Sequence, residues 1–104
     1  MSSVRLPERR PGIPCLATLL MFFVYVLKSQ ITGLLYKGHS KDLNTRLIQH
    51  NAGKTRSTKH GIPWQLIYSE SFPTREEAIT RERYFKSLEG GKELTDFLRL
   101  YLSN

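Results

Sequence analysis

The chain has 104 residues, with 16 Lys and Arg against 9 Asp and Glu and a formal net charge of +7. That length accommodates one domain with one modest core and argues against a separate regulatory unit, while the charge favours a polyanionic partner such as a nucleic acid. The single cysteine, Cys15, excludes an internal disulfide, and no Cys/His spacing matches a zinc site, which suits a reducing, cytoplasmic setting.

Residues 1–20, MSSVRLPERRPGIPCLATLL, carry three of the five prolines and no clean period. They are expected to be a poorly ordered tail, or an upstream extension of a chain that starts at Met21. The apolar run CLATLLMFFVYVL is 13 residues long, short of the roughly 20 that cross a bilayer. No small-x-small cleavage site closes it as a signal peptide would require, so no membrane role is expected. Residues 21–104 are left as the domain.

FFVYVLKS and LLYKG read as two strands joined by QITG, whose Gly33 suits a turn, giving a β-hairpin. Tyr25 and Tyr36 are near partners in it; directly opposed, they would share a sheet face. In SKDLNTRLIQHNAG, Ser40 is the expected N-cap, Asp42 lies in the first turn and Gly53 stops the helix. Leu43, Arg46, Leu47 and His50 fall on about a third of its circumference, so an arginine and a histidine border the buried stripe. GKTRSTKHGIP reads as a basic polar loop, and WQLIYSE as a third strand.

In PTREEAITRERYFKSLEGG, Thr74 and Glu77 have capping-box spacing, and Gly90 and Gly91 are expected to end the helix. Ala78, Glu82, Phe85 and Glu89 share a face, with Leu88 at its edge. KELTDFLRLYLSN places Leu94, Phe97, Leu98, Tyr101 and Leu102 on the apolar side of a last helix. The order β-β-α-β-α-α predicts a small α/β (α+β) fold, a three-stranded antiparallel or mixed sheet flanked by helices.

Glu82 is the anomaly, because an ionised carboxylate on a core-side face needs a partner. A pairing with Arg81, Arg83 or Arg46, or a place in water at the edge of the face, is the plain reading. A bound cation is the functional one. Two phenols (Tyr25, Tyr36), a guanidinium (Arg46) and an imidazole (His50) precede it. Phosphodiester cleavage needs such groups: a base or water-orienting group, positive charge on the phosphate and often a divalent ion.

The ordered set resembles the GIY-YIG endonuclease family over nearly the whole chain after Met21. VYV (Val24–Val26) stands for the first tripeptide and YKG (Tyr36–Gly38) for the second. NTRLIQHN supplies the arginine ten residues after Tyr36, and TRERYFKSL the helical glutamate. The chain is most similar to short stand-alone members related to the excinuclease nuclease domain, on QHNAGK and LIYSESFPTREEAITRERYFK. The resemblance implies a DNA endonuclease in which Glu82 is the one acidic ligand of a single Mg²⁺ or Mn²⁺ and Arg46 holds the scissile phosphate. It also implies that Tyr25 and Tyr36 frame the attacking water, either of them as base, and that His50 and His39 support by hydrogen bonding or proton transfer. DNA repair, or the processing of branched or single-stranded DNA, would be the setting. Lys37 and Lys41 would help electrostatically, with Lys37 on the face opposite Tyr36, and Lys54, Arg56, Lys59 and His60 would grip phosphates. The asparagine common in the family after the glutamate helix is missing from SLEGGKEL. The competing expectations are a nucleic-acid-binding module that has lost catalysis, or a nuclease that needs a protein partner for substrate choice.

Overall fold

Strand β1 (Phe22–Ser29) sits at the centre of the fold because both of its faces are apolar. Val24 and Val26 alternate with Tyr25 and Leu27, and none of the four is more than 2% exposed. A strand buried on both sides needs neighbours along both edges and helices above and below. The computed structural model, which describes residues 21–102, supplies them; the tail expected over residues 1–20 lies outside the described residues.

β2 (Leu35–Ser40) and β3 (Trp64–Phe72) pair with β1 on either side, in the order β2-β1-β3. Both pairings are antiparallel, so the sheet is not mixed. The tight connection turns β2 back on β1 through Gly33 at φ 76°, and β3 returns along the opposite edge.

Helix α1 (Leu43–Asn51) is capped by Asp42, whose carboxylate accepts from the Thr45 N–H at 3.0 Å and the Thr45 hydroxyl at 2.9 Å. This corrects the expected cap. Ser40 ends β2 opposite Phe23, and its Oγ accepts from the Asp42 N–H at 3.0 Å, turning the chain before the helix rather than starting it. Gly53, at φ 77°, follows the helix as expected. The basic loop is also more ordered than its composition suggests. Arg56–Gly61 form a 3₁₀ helix that buries Thr58 while Arg56, Lys59 and His60 stay exposed.

Helix α2 (Arg75–Lys86) starts at Thr74, whose hydroxyl accepts from the Glu77 N–H at 3.2 Å. It stops at Ser87, not at the glycines. Helix α3 (Leu88–Leu102) begins at once and takes Gly90 and Gly91 into its first turns. A Cβ on Gly90 would lie 1.8 Å from the Tyr84 carbonyl oxygen, so this glycine permits close contact with the end of α2 rather than terminating a helix. The break leaves Leu88 exposed and Glu89 off the α2 face.

The sheet therefore separates two apolar layers. Val24, Val26, Tyr68, Ala78, Phe85, Leu94 and Leu98 fill the space under α2 and α3. Tyr25, Leu27 and Trp64 fill the other side with Tyr36, Leu43 and Leu47. Burying a side chain such as Phe85 contributes about 1.5–3 kcal/mol. No helix among the described residues is long and apolar enough to cross a membrane.

Candidate active site

The hairpin register sets the two tyrosines. Tyr25 stands opposite Gly38 and Tyr36 opposite Leu27, so the phenols are diagonal neighbours and not a direct pair. They still share a face, with ring centroids 6.3 Å apart. The Tyr25 ring lies across Gly38, where a Cβ would come within 2.6 Å of the phenol oxygen. Only glycine leaves room for that ring.

His50 rises from the last turn of α1 into this aromatic group and is fully buried. Its ring is 4.9 Å from that of Tyr36, edge to face, and its Nε2 is 3.0 Å from the Tyr25 hydroxyl. Nδ1 meets the Thr58 hydroxyl at 2.8 Å. Burial, with help from the Arg46 charge, pushes the imidazole pKa down, which favours the neutral ring.

Arg46, one helical turn before His50, is partly buried, and its Nη1 donates to Gln49 Oε1 at 3.0 Å. The Tyr25 phenol beside it raises the guanidinium pKa above its ordinary value, against the opposing effect of burial. The Tyr25 phenol is raised first by burial; Arg46 opposes that shift, while Tyr36 and Glu82 add to it.

Glu82 projects from α2 to edge strand β2. One carboxylate oxygen bonds His39 Nδ1, and the other accepts from Lys86 Nζ at 2.6 Å. These partners are neither of the adjacent arginines nor Arg46, because Arg81 turns to the buried Glu70, its Nε donating at 2.9 Å. Burial opposes ionisation of Glu82, but the bonds from Lys86 and His39 win and hold its pKa below the usual range. Lys37 stands opposite Val26, on the face away from Tyr36 as alternation requires. Burial, then the Lys86 charge, lowers its pKa.

Tyr25, Tyr36, Arg46 and His50 belong to the α1 side of the sheet, and His39 and Glu82 to the α2 side. They meet around β2, where Lys86 Nζ lies 6.0 Å from the Tyr36 ring centroid. Lys41, Lys54, Arg56 and Lys59 are exposed and form no ion pair among the described residues.

Among the described residues no group of three or more His, Cys, Asp or Glu stands together to cage a metal. A single carboxylate fits an ion that keeps most of its shell as water and phosphate oxygen, as Mg²⁺ does, and not a zinc-type site.

Two residues beside the site were not singled out from sequence. Lys86 is one helical turn after Glu82, a legible i,i+4 pair. Thr58 touches His50 only because the loop folds into a 3₁₀ turn, which the polar composition of GKTRSTKHG does not announce.

The GIY-YIG catalytic domain model matches residues 21–93. A UPF0213 protein of Staphylococcus epidermidis is 44% identical over 66 residues, covering 62% of this chain and 79% of that protein. One of Staphylococcus saprophyticus is 40% identical over 73 residues, covering 69% and 88%. The solution NMR structure of a UPF0213 protein from Bacillus halodurans is similar at 29% identity, covering 74% of this chain and 84% of that one, with a TM-score of 0.47.

Proposed function

We propose, from the premise that this chain belongs to the GIY-YIG catalytic domain family, that it is a divalent-metal-dependent DNA endonuclease hydrolysing one phosphodiester at a time. The observation that carries this reading is the cluster of Tyr25, Tyr36, Arg46 and His50 on one face of the hairpin, with His39 and Glu82 bonded to each other across edge strand β2. Family membership supports nuclease chemistry on DNA.

Arg46 binds the scissile phosphate and stabilises the charge that grows on it in the transition state. Tyr25 and Tyr36 flank the attacking water. Glu82 would hold the Mg²⁺ or Mn²⁺ ion, which supplies charge neutralisation at the phosphate when bound. Lys86 and His39 satisfy the carboxylate otherwise, and Lys86 is free to swing toward the phosphate. Lys41, Lys54, Arg56 and Lys59 anchor the flanking backbone without reading bases. We place the protein in the cytoplasm, in repair or in processing of branched or single-stranded DNA, with a protein partner as an aid to substrate choice.

The test is incubation of labelled single-stranded, duplex, flap and four-way-junction DNA with the protein in Mg²⁺ or in EDTA. Cleavage in Mg²⁺ that EDTA stops is expected. A second reading, binding without cleavage, draws on one observation: both Glu82 oxygens are already engaged by protein donors. Binding of all four DNAs with no cut under either condition would favour it.

A further inference from the structure

The turn between β1 and β2 carries two large aliphatic side chains into solvent: Ile31 is 68% exposed and Leu34 60%. The turn is nonetheless built to keep one shape. The buried Ser29 hydroxyl oxygen accepts from the Ile31 N–H at 3.1 Å and the Thr32 N–H at 3.0 Å, and the Gly33 N–H bonds the Ser29 carbonyl at 3.0 Å. The Leu34 N–H bonds Thr32 Oγ1 at 3.1 Å. Every backbone N–H from Ile31 to Leu34 is thus satisfied within the turn, which fixes the backbone that carries the two side chains.

The same serine ties the turn to the basic 3₁₀ helix. Ser29 Oγ donates to the Gly61 carbonyl at 2.7 Å, and just beyond the helix the Pro63 carbonyl accepts from the Gln30 N–H at 2.9 Å. Exposed Arg56, Lys59 and His60 stand on that helix, with exposed Lys54 just before it. Leu34 also belongs to the tyrosine face. The Ser29 N–H bonds the Leu34 carbonyl at 2.9 Å, which carries the β1–β2 ladder one pair past Lys28 and Leu35. By strand alternation Leu34 therefore shares a face with Tyr36, about 7 Å away along the strand.

Aliphatic side chains on a fixed turn beside fixed positive charge suit a nucleic acid whose bases are open to contact. The cations hold phosphates whatever the sequence. Ile and Leu side chains wedge between neighbouring bases, and the cost of unstacking is smallest where the stack is already interrupted. Resting on the nuclease reading above, we propose that Ile31 and Leu34 form a wedge that enters DNA where single and double strand meet, so that the site selects a flap or branch over continuous duplex. The turn contacts the bases while the 3₁₀ helix holds the backbone next to them. Neither side chain takes part in the chemistry; they choose the substrate and place it beside Tyr36.

The experiment is run on the full chain in EDTA, so that binding is read without cleavage. Anisotropy compares a labelled flap DNA with a duplex of equal phosphate number, and a 2-aminopurine base at the branch reports unstacking by its fluorescence. Wild type is expected to prefer the flap and to brighten the probe. Ile31→Ser combined with Leu34→Ser, which alters only exposed side chains, is expected to lose about 10-fold or more in flap affinity, the scale of burying such groups, with a change of about 2-fold or less on the duplex and no brightening. Ile31→Phe combined with Leu34→Phe stays apolar and is expected to keep both preference and signal. Equal wild-type affinity for flap and duplex, a serine variant that keeps the wild-type preference and signal, a serine variant that loses both DNAs equally, or a phenylalanine variant as impaired as serine overturns the proposal. The same DNAs in Mg²⁺ separate the two readings. A wedge seen in EDTA with no cut in Mg²⁺ overturns the nuclease reading and upholds the wedge, whereas cutting of flap and duplex with equal affinity overturns the wedge alone.

Discussion

The Tyr25 hydroxyl and His50 Nε2 meet at 3.0 Å across 25 positions of sequence. The contact ties the central strand to the end of α1, and Gly38 keeps it open. Tyr25→Phe keeps the ring and removes only the hydroxyl. Cleavage is expected to fall about 100-fold, the scale of a lost acid–base group, with a stability loss of about 1–3 kcal/mol from the unpaired imidazole. DNA cleavage rates beside urea unfolding check both. A phenylalanine variant as active as wild type would remove Tyr25 from the chemistry.

Gly38→Ala attacks the same contact from the other strand. Its Cβ would fall 2.6 Å from the Tyr25 oxygen, so either the phenol leaves His50 or the hairpin shifts. A loss of about 1–3 kcal/mol is expected for such overpacking, together with a loss of cleavage. Thermal melting and the rate assay read the two effects, and an unchanged melting temperature would contradict the packing described.

The depressed pKa of His50 has a consequence for stability. Below the ordinary imidazole value of 6.5 the unfolded chain takes a proton that the folded ring refuses. Unfolding then binds a proton, so stability falls as pH drops from that value toward the lower folded one and is fully present above it. Urea melts between pH 7.5 and 5 should show this slope in wild type, and His50→Gln should flatten part of it. Equal slopes in the two proteins would contradict a neutral buried His50.

Much of this arrangement was legible in the sequence. The aromatic and β-branched run FFVYVLKS read as a strand of a hairpin, and the spacing of Arg46, His50 and Glu82 placed them on the correct helices. The misreadings share one cause: local propensity does not see close tertiary contact. Gly90 and Gly91 look like a stop signal until α3 has to pack against Tyr84. Ser40 is as good a cap as Asp42 until β2 extends through Ser40 itself. Thr58 looks like any loop threonine until the 3₁₀ turn buries it against His50. Which face of the sheet each group occupies was equally hidden, since it depends on a hairpin register that sets Tyr25 opposite Gly38.

Lys86 occupies one Glu82 oxygen, so it competes with any ion that Glu82 holds. Lys86→Met is expected to tighten Mn²⁺ binding about 3- to 5-fold, the scale of a half-exposed ion pair, as read by electron paramagnetic resonance. Glu82→Gln should abolish that binding. Unchanged Mn²⁺ affinity in the methionine variant would mean that the ion binds without displacing Lys86.

The most direct test of the central claim is a paired measurement on Glu82→Gln and Arg46→Ala: DNA binding by anisotropy and cleavage in Mg²⁺, on the same substrate as wild type. The account predicts that both variants lose cleavage by about 100-fold or more, that Glu82→Gln keeps wild-type DNA affinity, and that EDTA reduces the wild type to the same level. Cleavage by Glu82→Gln at the wild-type rate, or in EDTA, would contradict it.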